Sequence, residues 1–162
     1  MTNKYRIQKY ISNIIEKGTL QRPDKKGMRR TKWCFLGFDD GNNLCDLLAV
    51  LNTFVIDSNK SMSDKCKVEY LDKFVKLFIG DNIEIMIHVV AYNEKDLIDM
   101  RCMEYTGTFI LEEVPSDVFS LMLERLHRFP HICDGGPSWC GIIKGDAILY
   151  SNGVDDNGDW LK

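Results

Sequence analysis

The stretch that decides the fold is "SMSDKCKVEYLDKFVKLFIG", Ser61–Gly80. Val68, Leu71, Phe74, Val75 and Phe78 recur at intervals of three and four, the spacing that lines one face of a helix. Ser61 and Asp64 have the three-residue separation of a capping box, and Gly80 can end a helix. Residues 61–80 are therefore expected to form a core helix, and the rest of the architecture is built around that expectation.

Upstream, "LCDLLAVLNTFVI" places Leu44, Leu47, Leu48, Leu51, Phe54 and Val55 on one helical face. "WCFLGF", Trp33–Phe38, is a short apolar run with the turn residues "DDGNN" after it, which fits a buried strand. The first eighteen residues carry Tyr5, Ile7, Ile11, Ile14 and Ile15 at helical spacing, with Gly18 as the expected C-terminal stop. Downstream, "NIEIMIHVVAY" is β-branched and alternating, so a strand. "LIDMRCMEYTGTFILEEV" reads as two further strands or one bent at Gly107. "PSDVFSLMLERLHRF" reads as a helix with the stripe Val118, Phe119, Met122, Leu123 and Leu126. "WCGIIKGDAILYSNGV" reads as strands broken at Lys144-Gly145-Asp146 and at Asn152-Gly153.

The resulting order is α-β-α-α-β-β-β-α-β-β. It implies an α+β fold: one domain over 1–162, with a mostly antiparallel sheet packed against about four helices. A doubly wound parallel fold is disfavoured, because strand–helix alternation breaks in the middle. A chain of 162 residues with 44% hydrophobic and 28% charged residues has enough apolar mass for a core without staples.

The six cysteines, at 34, 45, 66, 102, 133 and 140, form no C-x-x-C pair. Without a signal peptide they are expected to be reduced thiols used as small hydrophobes, in a cytoplasmic protein with no membrane span. The frequent Lys, Ile and Asn suit an AT-rich coding genome, bacterial or viral.

The net charge of −3 hides an asymmetry. Residues 1–32 carry ten Lys or Arg against Glu16 and Asp24, which is +8. The remainder carries 11 basic and 22 acidic side chains, which is −11. Residues 19–32, polar and broken by Pro23 and Gly27, are expected to be a mobile basic loop. Its cations Arg22, Lys25, Lys26, Arg29, Arg30 and Lys32 are the candidate partner-binding residues.

Three other stretches hold chemistry-bearing side chains. "HRFPHICDGGPSWCG", His127–Gly141, offers His127, His131, Cys133 and Cys140 as zinc ligands, but one residue between His131 and Cys133 is too tight for a standard knuckle. Trp139-Cys140-Gly141 begins like a W-C-G-P-C thiol site, yet Ile142 and Ile143 stand where the Pro and second Cys belong. "DDNGD", Asp155–Asp159, opens like an EF-hand loop and lacks its Gly and terminal Glu. No metal site, cofactor or catalytic residue is assigned on these grounds. His88 is expected to be a paired or half-exposed strand histidine that shares a face with Glu84 and Met86.

By exclusion, the sequence is read as a small intracellular non-catalytic binding protein. The concrete version is a regulator or inhibitor that acts by protein–protein interaction on a larger enzyme or assembly with an acidic surface. One alternative is a nucleic-acid-binding protein using the basic 22–32 segment. Another is a cysteine- or metal-dependent enzyme centred on 127–140.

Overall fold

The central strand is apolar on both faces, and that property organises the whole sheet. The computed structural model describes residues 3–21, 23–37, 40–61, 65–91 and 107–111, and the strand segments 132–133, 136–137, 140–144 and 147–152. The elements in chain order are α1 (Asn3–Leu20), β1 (Arg29–Gly37), α2 (Asp40–Ser61), β2 (Cys66–Leu71), β3 (Phe74–Ile79), β4 (Ile83–Ala91), β5 (Gly107–Ile110), β6 (Ile132–Cys133), β7 (Gly136–Pro137), β8 (Cys140–Lys144) and β9 (Ala147–Asn152).

Seven strands form a mixed sheet in the order β2-β3-β4-β1-β5-β8-β9, and β6 and β7 pair separately. β1 runs parallel to β4 on one side and to β5 on the other, and β5 runs parallel to β8. Antiparallel pairing is confined to β2–β3, β3–β4 and β8–β9 within this sheet. The expectation of a mostly antiparallel sheet is therefore corrected: its middle is parallel. The physical cause lies in β1. Trp33 and Phe35 face the helices, while Cys34 and Leu36 face the other way, and all four are fully buried. A strand buried on both faces belongs in the interior of a parallel sheet.

The second correction concerns residues 61–80. Among the described residues there are two helices, α1 and α2, and the expected helix is instead the hairpin β2–β3. Leu71 pairs with Phe74 across Asp72 and Lys73. Asp72 takes a left-handed φ of 54°, the conformation a tight turn needs and one that Asp tolerates better than most residues. Inward positions then follow a period of two: Val75, Leu77 and Ile79 are buried against the helices. The expected helix over 115–129 lies outside the described residues, and about four helices do not fit what is described.

α1 and α2 cover one face. Ile7, Tyr10, Ile11 and Ile14 of α1 and Leu47 and Leu51 of α2 join Trp33, Phe35, Ile85, Ile87, Val89 and Phe109 in one core. Tyr10 and Phe109 rings lie 4.5 Å apart, and Phe35 meets Phe109 edge-on at 5.8 Å. Tyr10 also donates its hydroxyl to the Ile110 carbonyl at 2.9 Å, and Arg6 donates to the Leu111 carbonyl, which ties α1 to β5. The Trp33 indole donates to the Thr31 hydroxyl at 2.8 Å, so its one polar atom is satisfied in the core.

Gly18 does not end α1, which runs on to Leu20. A Cβ there would sit 2.9 Å from Ile85 Cδ1. The glycine allows the helix to approach β4.

Candidate partner-binding surface

The basic segment splits into three parts. Thr19 and Leu20 belong to α1, and Arg29 to Lys32 belong to β1, so the connection is narrower than the expected 19–32 loop. Arg22 lies outside the described residues.

The turn between them is built on Asp24. Its Oδ1 accepts the N–H groups of Lys26 and Met28, each at 2.9 Å. Its backbone accepts the Gly27 N–H at 2.9 Å and donates to the Met28 carbonyl at 2.8 Å, and Gly27 takes a φ of 82°. The hydrogen bond from Met28 N–H holds the Asp24 carboxyl below the usual carboxylate range. The Lys26 N–H and the positive charges of Arg30 and Lys26 act in the same direction. Lys25 and Lys26 are exposed on this turn.

Strand alternation then separates the remaining cations. Arg29 lies on the helix-covered side and donates to the Gln21 carbonyl just beyond α1. Arg30 and Lys32 lie on the opposite face. Arg30 reaches Asp24 at 3.5 Å and Glu84 at 3.3 Å, and Lys76 reaches the other Glu84 oxygen at 3.6 Å. The result is an alternating chain of charges, Asp24–Arg30–Glu84–Lys76, running from the turn across β1, β4 and β3. Pairs this exposed are each worth about 0–1 kcal/mol, so they orient side chains more than they hold the fold.

The same face carries residues that the sequence reading placed on a helix. Lys67 and Glu69 of β2 pair at 3.0 Å, and Lys67 lies 5.2 Å over the Phe78 ring. His88 is half-buried, and stacks on its register partner Phe74 at 4.0 Å with planes 12° apart. The expected orientation of His88, beside Glu84 and Met86, matches the burial of Ile85, Ile87 and Val89 on the other side. Lys67 and Lys76 extend the positive band beyond residue 32. Their signal was the alternation of charged and apolar residues through 66–79.

Toward the C-terminal end of β1 this face closes. Cys34 and Thr108 are register neighbours, and both are fully buried with Leu36 and Ile110. Burial pushes the Cys34 thiol far above its ordinary range, which leaves it a poor nucleophile. Cys34, Cys45 and Cys66 are free thiols. Among the described residues no cluster of three metal-ligating side chains occurs. His127 and His131 lie outside the described residues. Cys133 and Cys140 are described only as strand positions in β6 and β8, and Asp155–Asp159 lie outside.

Among the described residues, no helix is long and apolar enough to cross a membrane. No family model and no curated protein matches the chain. Two solved structures of the large terminase from a thermophilic bacteriophage are similar to it. One, in crystal form 2, has 12% identity and a TM-score of 0.46; the other, in complex with ADP, has 13% identity and a TM-score of 0.45. Each match covers 71% of this chain and 26% of the terminase chain.

Proposed function

We propose that this chain is a small non-catalytic binding protein of the cytoplasm, a regulator or inhibitor that docks on the acidic surface of a larger enzyme or assembly. The observation that carries the reading is the excess of cations on one side of the molecule: Lys25 and Lys26 on the turn, then Arg30, Lys32, Lys76 and Lys67 on the half-exposed sheet face, outnumber the acids Asp24, Glu84 and Glu69 set among them. The Asp24 turn presents Lys25 and Lys26 on a backbone already held by its own hydrogen bonds. A held turn loses less conformational freedom on binding than a free loop. The charge itself acts by steering and by summed attraction that weakens with salt.

The nucleic-acid reading ranks second. Phe74, Phe78 and His88 interleave with these cations, the composition of a base-stacking platform. However, Phe74 and His88 stack on one another, and Lys67 covers Phe78. Those ring faces are already engaged, which favours an acidic protein over unpaired bases.

The test is affinity capture from lysate, followed by association kinetics with the captured protein. The Lys25→Ser/Lys26→Ser double variant is expected to melt as wild type does and to associate about tenfold more slowly at low salt. Capture of nucleic acid with no stoichiometric protein would move the second reading to first place. Equal association rates for the two proteins would remove the turn from the interface.

A further inference from the structure

β2 is the terminal strand of the sheet. In an antiparallel ladder, alternate residues aim their N–H and C=O at the neighbouring strand or away from it. The Lys65 carbonyl accepts the Gly80 N–H at 2.8 Å, so Lys65 faces β3. Cys66 therefore faces outward, and Asn59 of α2 takes both of its backbone groups. The Cys66 N–H donates to Asn59 Oδ1 at 2.7 Å, and Asn59 Nδ2 donates to the Cys66 carbonyl at 3.1 Å. The Asn59 amide stands where a further strand would run and closes that end of the edge.

By the same alternation Lys67, Glu69 and Leu71 face β3, while Val68 and Tyr70 aim their backbone groups outward. Tyr70 is 63% exposed and Leu71 81%. β2 contains no proline, and its pairing with β3 runs from Cys66–Ile79 to Leu71–Phe74 without a shift in register. Beyond its charges and the Asn59 cover at Cys66, it lacks the usual devices that blunt a strand edge.

We propose that two copies of this chain pair antiparallel through β2, about a two-fold axis at Glu69. In this register Val68 lies opposite Tyr70 of the second copy, and the reverse holds by symmetry. Each pair exchanges both main-chain hydrogen bonds, and every outward group of the two strands is used. The neighbouring registers fail. Centring on Val68 sets Tyr70 against Cys66, whose groups Asn59 already holds. Centring on Tyr70 sets Val68 against Asp72, in the left-handed turn. With the axis at Glu69, the residue opposite Cys66 is Asp72, where the second chain turns away from Asn59.

Side chains fit the same register. Val68 and Tyr70 make β-branched–aromatic pairs across the seam. On the other face the two Glu69 side chains stand directly opposite each other, a repulsion offset by each Glu69's own Lys67, 3.0 Å away, and by the diagonal Lys67 of the second copy. The two Glu and two Lys side chains sum to zero. This pairing does not rest on the partner-docking reading: Lys67 belongs to both surfaces, but the Lys25→Ser/Lys26→Ser variant leaves the β2 edge untouched.

Sedimentation velocity from about 1 to 200 μM tests the proposal, a range that captures a Kd of tens of micromolar. Wild type is expected to shift from monomer to dimer. Tyr70→Pro removes an outward N–H without touching the β2–β3 ladder, and edge strands tolerate proline. It is expected to weaken association roughly 10- to 100-fold. Glu69→Lys, at an exposed side chain, places four positive charges at the seam and should also yield monomer. Circular dichroism establishes that each variant is folded. Wild type that stays monomeric across the range overturns the proposal and leaves the edge to a strand of some other protein. Dimerisation of folded Tyr70→Pro or Glu69→Lys as strong as that of wild type overturns it as well.

Discussion

Replacing Gly18 with alanine sets two effects against each other. In a helix interior, Gly→Ala contributes roughly 1 kcal/mol of stability through backbone entropy. Gly18 is buried within α1, however, and its added Cβ would meet Ile85 Cδ1 at 2.9 Å and Cγ1 at 3.0 Å. Overfilling a packed site of this kind costs about 1–3 kcal/mol. The net expectation is a loss of about 1 kcal/mol, or roughly 2–4 °C in Tm for a chain of this size. Because Cδ1 is the end of a side chain, the clash has a specific remedy. Ile85→Val deletes that methyl and alone costs about 0.5–1.5 kcal/mol. In the Gly18→Ala/Ile85→Val double variant the two losses should fall short of additivity by about 1 kcal/mol. Urea and thermal denaturation of the four proteins, followed by circular dichroism, close the cycle. A Gly18→Ala variant that gains the full helix-propensity increment, with additive behaviour in the double, would show that α1 does not approach β4 closely enough to require a glycine.

Three further outcomes follow from the core and the turn. Tyr10→Phe keeps the ring against Phe109 but deletes the hydrogen bond to the Ile110 carbonyl, and should cost about 1 kcal/mol in urea denaturation. The Asp24 carboxyl is held below its ordinary pKa, so its contribution to stability is present above its unfolded value, near 4, and is lost as pH falls through the lower folded value. Asp24→Asn should accordingly trail wild type by a constant margin above about pH 5 and converge with it in acid, read from urea midpoints across pH. Exposed Cys45 should alkylate with iodoacetamide well before buried Cys34 in the native protein, and mass spectrometry of the labelled peptides gives the order.

Which parts of this architecture a single sequence reveals depends on whether its periodicities are local. α1 and α2 were legible because their apolar stripes stay in phase over four or more turns. β1, β4 and the β8–β9 hairpin were legible because each is a β-rich run bounded by turn residues. Residues 66–79 were misread because a two-residue turn changes which sequence separations share a face. Val68 and Val75 lie on the helix side, while Leu71, Phe74 and Phe78 lie on the other. The apparent helical stripe therefore mixes two faces of a hairpin, and the enrichment in Val, Phe, Tyr and Ile was the better guide. The parallel centre was hidden for a different reason. The strands flanking β1 come from residues 83–91 and 107–110, and pairing over such separations leaves no periodic trace.

The candidate surface shows the same division between composition and geometry. The excess of positive charge in residues 1–32 is plain from counting, but counting assigns Arg29 and Arg30 to one group. In β1 they point to opposite sides of the sheet, one to the end of a helix and the other into the chain of charges with Glu84. Once the strand is known to begin at Arg29, period-two alternation makes that separation unavoidable. The same alternation brings Lys67 and Lys76, far along the chain, onto the face that Arg30 and Lys32 occupy. A binding surface assembled this way belongs to the sheet rather than to a segment. Its cations should therefore be tested in spatial pairs, such as Arg30 with Lys76 across their shared Glu84, rather than in sequence runs.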